Sequence, residues 1–336
     1  MLSIDDILQQ SRNAEPFARE QLVWMLELSP DSEASYRIMA EAREISRRLS
    51  GDRAEIHAQF AMNLNACPKN CEFCSFAAIN KIFNTGIELS IEQAVENALL
   101  LERAGANAVY VMTTASFGLD AFLETGRSVR EALRPETILI ANTGDQTPAN
   151  ARRIQEAGFN GVYHALRLRE GIDTGIPPQQ RLDSMRAFKN AGLILGTCVE
   201  PIGPEHSNEE IADLILLTGS LEPAYSGAGR RISIPGTRLA QTFGMISELR
   251  LAQIVAITRL GLPRNVIGNC THEPCVIGAA AGANLLWAEI GANPRDTMAR
   301  TEDGRGCTVN ACRNIFSEAG CGILEGPSRF FSSRKK

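Results

Sequence analysis

Glu55-Ile-His-Ala-Gln-Phe-Ala-Met-Asn63, followed almost at once by Cys67-Pro-Lys-Asn-Cys71-Glu-Phe-Cys74, decides the reading of this chain. The first part has the length and apolar content of a buried strand. The second puts three thiols into one short loop. Closely spaced cysteine thiolates are the usual holders of iron–sulfur clusters. A cubane has four irons, so three ligands leave one iron open to a small molecule. Structural zinc sites use C-x2-C pairs with a second pair further on, and the C-x3-C-x2-C spacing here does not match them.

Outward from this loop the sequence alternates strands and helices. Residues 31–49 carry apolar positions at helical spacing and stop at Gly51. Ser90-Ile-Glu-Gln93 reads as a capping box that opens a further helix. Short apolar strands are expected over 108–112, 137–141, 161–166, 193–199, 231–234 and 266–268, with an eighth near Leu285. Several intervening helices end in the same Ala-Gly, at Gly105, Gly158 and Gly192, where glycine turns the chain into the next strand. Near-continuous apolar strands alternating with amphipathic helices imply a parallel sheet covered on both faces. The expected fold is α/β, a (βα)8 TIM-type barrel over 53–295. An N-terminal helical segment (1–52) precedes it. A C-terminal cysteine-bearing helical extension (296–336) follows, with a short disordered tail ending Arg334-Lys-Lys. Active sites of such barrels lie on the loops after the strands' C-terminal ends. The cysteine loop follows the first strand there.

Composition narrows the partners. The chain has 336 residues, 44% hydrophobic and 22% charged, as ordinary globular proteins do. A formal charge of −5 and few aromatics argue against nucleic acid or an acidic membrane surface. The start Met1-Leu-Ser-Ile-Asp-Asp lacks a basic n-region, and no apolar run is long enough for a membrane helix. Nine cysteines without a secretory leader then point to a reducing cytoplasm, where thiols more often bind metal than pair.

The triad, with the aromatic Phe73 before its last cysteine, resembles the signature of the radical S-adenosylmethionine (SAM) superfamily. In order and spacing, roughly Glu55 to Ala292 resembles its biotin synthase branch, which includes hydrogenase-cofactor maturases, methylornithine synthase and biotin-synthase-like lipoyl synthases. The resemblance implies a 4Fe-4S cluster on Cys67, Cys71 and Cys74 whose open iron chelates SAM. It also implies reductive cleavage of SAM to a radical that takes hydrogen from unactivated carbon. Arg181 would then meet the methionyl carboxylate, and Ile202-Gly203 with Glu205 would pack the adenine. Thr113, Thr114 and Ser116, after strand two, occupy the place where the family binds the methionyl amino group. Asn142 ends strand three. Arg167, Arg169 and Glu170 follow strand four, where ribose and carboxylate contacts are expected, and Glu200 lies in the Cys198-Val-Glu-Pro-Ile segment of strand five. Each of these charged residues has a plainer reading, as part of a solvated loop.

Biotin synthase holds a second cluster inside its barrel by cysteines on strands two, three and five. Here only Cys198 matches, so that ligand set is missing and Cys198 reads equally well as a packed thiol. The missing thiols lie instead in the C-terminal region, as Cys307-x4-Cys312-x8-Cys321, followed by Ser328. Lipoyl synthases use a serine near the C-terminus as a ligand, which makes Cys307, Cys312, Cys321 and Ser328 candidates for an auxiliary iron–sulfur cluster over the barrel mouth. Cys270 and Cys275, flanking His272, leave four readings open: cluster ligands, a zinc site, substrate contacts or a buried structural role. His57 reads as structural, and His164 faces the expected cavity. The resemblance implies sulfur insertion at an unactivated carbon, with the auxiliary cluster as donor, on a small-molecule or carrier-protein-bound acyl substrate. Ferredoxin or flavodoxin would supply electrons. Radical rearrangement or fragmentation in cofactor biosynthesis is the alternative.

Overall fold

On β1 (Glu55–Ala61) every residue is buried, although polar Glu55, His57 and Gln59 alternate with apolar Ile56, Ala58 and Phe60. Successive side chains on a strand face opposite sides, so both sides of this strand are dry and one of them must satisfy polar groups internally. Closure of the sheet into a barrel explains this. In the computed structural model, which describes residues 2–331, β1 is followed by β2 (Ala108–Met112), β3 (Ile138–Asn142), β4 (Gly161–Tyr163), β5 (Ile194–Gly196), β6 (Tyr225–Arg230), β7 (Gly268–Thr271) and β8 (Leu285–Ile290). Val199–Ile202 continues β5 and pairs with β6. Neighbours pair in parallel around the sheet, and β8 returns to β1 with Glu55 opposite Leu285. The fold is a closed TIM-type barrel, as the sequence implies.

Ile56, Ala58 and Phe60 point outward into a core shared with the helix layer. That layer consists of α4 (Ile91–Arg103), α5 (Leu119–Ala132), α6 (Pro148–Glu156), α7 (Pro178–Asn190), α8 (Asn208–Ser220), α9 (Arg238–Phe243), α10 (Glu248–Gly261), α11 (Val276–Ala280) and α12 (Val309–Glu318). Ser90 caps α4 as expected, its hydroxyl accepting from the Gln93 amide. Ahead of the barrel, α1 (Ile4–Arg12), α2 (Arg19–Glu27) and α3 (Glu33–Ser50) share one apolar cluster with α8 and α10. None of the helices among the described residues is long and apolar enough to cross a membrane. Met1 and the tail ending Arg334-Lys-Lys lie outside the described residues.

Two expectations are corrected. The sixth strand is Tyr225–Arg230, not 231–234. Its Ser-Gly-Ala-Gly has no apolar run, because a Cβ at Gly227 would meet the Cys270 backbone nitrogen at 2.3 Å. Close packing against β7 thus overrides apolar content. The C-terminal segment does not cover the mouth. From α12 it passes under the barrel, where Leu324 donates to Ala54 O (2.8 Å) and Ser328 to Asn107 O (2.7 Å). Phe330 and Phe331 then enter the barrel interior beside Tyr110, Tyr225 and Trp287. The Ser328 hydroxyl donates to Glu55 Oε2 at 2.5 Å, at the start of β1 and so at the end opposite the cysteine loop. Cys307 and Cys312 lie at the first turn of α12, with their sulfurs 3.5 Å apart. Cys321 lies beyond the helix's far end, which is six residues on from Cys312, roughly 9 Å along the axis at 1.5 Å per residue. The four expected auxiliary ligands are therefore not brought together.

Ser328→Ala should leave a buried Glu55 oxygen short of a donor and cost about 1–3 kcal/mol in unfolding free energy, with iron content unchanged. Loss of iron in this variant would return the serine to the ligand set.

Candidate active site

β1 aims the chain into the cysteine loop, and the loop is then fixed by its neighbours. Glu72 donates its amide to Asp173 O (2.9 Å), Gly175 donates to Lys69 O (2.7 Å), and Ser75 donates to Pro294 O (2.8 Å). The Asn80 side-chain amide donates to Cys74 O at 2.8 Å. Loops after β4 and β8 thus hold the loop over the mouth. Cys67, Cys71 and Cys74 are free thiols and all three line one cavity of about 1230 Å³, open solvent included, at the C-terminal ends of the strands. Burial raises the Cys71 thiol even though Arg167 and Arg181 pull it down; burial and the neighbouring Cys71 push Cys74 up to about 12. Three free thiols that face one cavity, beside two guanidinium groups that favour the thiolate, are the donor set an iron cluster takes. The residues therefore fit the group that the triad implies.

Across the cavity a buried ionic network closes the wall. Arg181 lies 3.2 Å from Asp145 and 3.3 Å from Glu170. Glu170 also accepts from Thr174 (2.6 Å) and from the Arg167 amide (3.1 Å). Arg167 stands 5.9 Å over the Phe73 ring, which links this wall to the cysteine loop. His164 Nε2 lies 2.8 Å from Asp145. Burial holds His164 neutral, down to about 4, so its Nε2–H is the donor. Burial alone would raise Asp145, but this hydrogen bond and the charge of Arg181 bring it to about 2.

Deeper in, Glu200 accepts from Tyr163 at 2.5 Å and lies 3.2 Å from His272 Nδ1. Burial would raise Glu200, but the His272 hydrogen bond and charge, with Arg167, hold it at about 2. Gln59 donates to Glu289 at 2.6 Å on the adjoining side. Nearby, Arg230, Arg295 and Arg305 all converge on Glu273. Buried Nε atoms of Arg230 and Arg295 have no partner.

Of the expected residues, Phe73, Thr113, Thr114, Asn142, Arg167, Arg181 and Glu200 line the cavity with the three cysteines. Glu170 acts behind them, through Arg181. Others are placed elsewhere. Ser116 is exposed, 3.4 Å from the Thr114 hydroxyl, outside the lining. Arg169 turns to Asp173 at 3.8 Å. Ile202 packs outward among Val199, Ile211 and Ile215 although it is two residues from Glu200, because the strand shifts register between Val199 and Ile202. Glu205 is committed to a bidentate pair with Arg231 (2.6 and 2.9 Å). Cys270 sits inside the barrel, whereas Cys275 opens α11. Asp145, Tyr163, Glu289 and the arginines around Glu273 were not singled out from sequence; Tyr163 and Arg230 end strands and Asp145 follows one, at the barrel face where such sites lie.

As pH falls from about 6.5 toward 4, unfolded chains take up a proton at His164 that the folded chain refuses. Burial depresses His206 and His272 in the same direction. Each such group lowers stability by up to about 1.4 kcal/mol per pH unit in that window. His164→Gln should flatten the slope by one group's share in denaturant titrations of the cluster-free protein. An unchanged slope would mean that His164 is not buried neutral.

Residues 64–218 match the sequence model of the Radical SAM superfamily. Biotin synthase from Corynebacterium urealyticum is 24% identical over 265 residues, 77% of each chain. That of Mycobacterium leprae is 24% identical over 273 residues, 78% of each chain. Among solved structures, methylornithine synthase superposes with a TM-score of 0.77 at 18% identity, covering 96% of this chain and 98% of that one. The FeFe-hydrogenase maturase HydG from Carboxydothermus hydrogenoformans also gives 0.77, at 17% identity, covering 98% of this chain and 81% of its own. At such identities the superpositions speak for the fold alone. The family match runs through the triad at the barrel mouth, and the chain is similar to the radical SAM superfamily and to its biotin synthase-like branch.

Proposed function

We propose that this radical SAM enzyme removes hydrogen from an unactivated carbon of a small acidic molecule held in the barrel, and that the substrate then rearranges or fragments. The observation that carries the reading is the meeting of three free thiols, Arg167 and Arg181 at one cavity. Bound there, the cluster and SAM supply a 5′-deoxyadenosyl radical. Arg181 and Arg167 offer positive charge to the methionyl carboxylate and ribose side, and Thr113, Thr114 and Asn142 offer polar groups to the amino side. Tyr163, Trp287 and Tyr225 close the interior below and keep bulk water from a reactive carbon. Unpartnered guanidinium nitrogens on Arg230 and Arg295 favour a carboxylate on the substrate. An external one-electron donor such as ferredoxin or flavodoxin completes the scheme.

Sulfur insertion is the second reading, favoured by the similarity to biotin synthases. It would act on a small molecule or a carrier-bound acyl chain, with an auxiliary cluster as sulfur donor. Rearrangement comes first because the C-terminal thiols and Ser328 lie apart from the cavity, which leaves Cys198 and Cys270 as the only thiols beside its floor among the described residues.

Two outcomes test this. With reductant and SAM under anaerobic conditions, the protein should form methionine and 5′-deoxyadenosine, and Cys71→Ala should form neither; cleavage that survives the substitution would remove the triad from the chemistry. Reconstitution with heavy sulfide then separates the readings. A product free of label over many turnovers is expected, whereas label in a biotin- or lipoyl-type product would establish sulfur insertion.

A further inference from the structure

Cys198, Glu200 and His272 come from two different strand ends, β5 and β7, yet each offers a ligand atom within 4.8 Å of the other two. A thiol, a carboxylate and an imidazole are the donor types that divalent zinc and iron take together. Glu200 and His272 line the cavity, and Cys198 lies behind them, fully buried. Donors this close address a single ion. A cubane spreads its ligands over separate irons and needs them further apart.

The surroundings are built for such a set. Tyr163 donates to Glu200 at 2.5 Å, fixing the carboxylate as outer-shell partners fix metal ligands. His272 is 7% exposed, and its Nε2 has no partner, with Glu289 at 4.0 Å. A buried ring nitrogen without a partner is a donor atom left for an ion, while Nδ1 already faces Glu200. Gly229 on β6 faces the gap. A Cβ there would stand 3.0 Å from His272 Cβ and 3.3 Å from Glu200 Oε2. Cys270 Sγ lies 3.5 Å behind Cys198 Sγ, so a second thiol is at hand. Nothing in the proposed radical step uses Cys198 or His272 for SAM.

We propose that Cys198, Glu200 and His272 form a mononuclear site for a divalent ion such as Zn(II) or Fe(II), with an open coordination position facing the cavity. Three protein ligands and one free position are the arrangement of metal sites that bind substrate. The ion takes a donor group of the substrate, a carboxylate, amine or thiol, and anchors it beneath the cysteine loop. Binding exchanges the Cys198 thiol proton for the metal; no electron transfer is involved. The site stands independently of the SAM cluster, so one can fail without the other.

Cobalt(II) is the probe. Full-length protein with Cys67→Ser, Cys71→Ser and Cys74→Ser carries no cluster absorbance to mask it. One cobalt per chain should bind, with a thiolate-to-cobalt charge-transfer band and the visible bands of a four-coordinate ion. Adding Cys198→Ser should remove the charge-transfer band. His272→Ala should weaken binding by more than the roughly 10–100-fold typical of an outer-shell loss. Glu200→Gln, which keeps the side chain's shape, serves if His272→Ala unfolds, and should also weaken binding. Absence of saturable binding would overturn the proposal. So would binding unchanged by these substitutions, or lost only with Cys307→Ser and Cys312→Ser, which would place the ion on the C-terminal pair.

Discussion

Every inward polar group on the closed barrel has to find its partner inside, and β1 sets where. Its three inward polar residues stand at three levels. Glu55, at the lowest, takes hydrogen bonds from the Ser328 hydroxyl and the Arg329 amide, which lock the C-terminal segment across the floor. His57 above it joins Glu55 to the Tyr110 hydroxyl, 2.9 Å on each side, and Tyr110 reaches Tyr225 at 3.3 Å. Gln59, at the top, meets Glu289 and so begins the cavity. Floor, aromatic middle and polar mouth thus follow from one strand's alternation, and the chain leaves that strand for the cysteine loop.

The mouth obeys a second constraint, that of charge in a dry place. Arg181 is buried between Asp145 and Glu170, so removing it would strand two carboxylates. Its network is full, whereas the three guanidinium groups around the buried Glu273 have, among the described residues, only Glu248, 3.3 Å from Arg230, as a further carboxylate. That difference separates a wall that holds its shape from a surface with positive charge to spare for a ligand.

Much of this was legible. The cysteine triad, the strand before it, the capping box at Ser90 and Arg181 at the opening of its helix all carry local signals. What failed did so for tertiary reasons. The sixth strand is made of small residues because its neighbours crowd it at Gly227, and no apolar run announces it. Spacing put Cys307, Cys312 and Cys321 in one stretch, but α12 runs on from the Cys307–Cys312 pair and carries Cys321 away from it. Ile202 stands two residues from Glu200, where plain alternation would put both on one face, but the Val199–Ile202 stretch shifts register where it pairs with β6. Cys198, Glu200 and His272 are far apart in sequence, and barrel closure alone brings them together.

The central claim is that Cys67, Cys71 and Cys74 hold a cubane with one iron left open at the mouth. Mössbauer spectroscopy of protein reconstituted with the isotope iron-57 tests it most directly, with and without SAM. A single iron site should change its parameters when SAM is added while the others stay as they were, because only the iron without a cysteine can take a new ligand. Irons that all respond alike, or none that responds, would contradict the account.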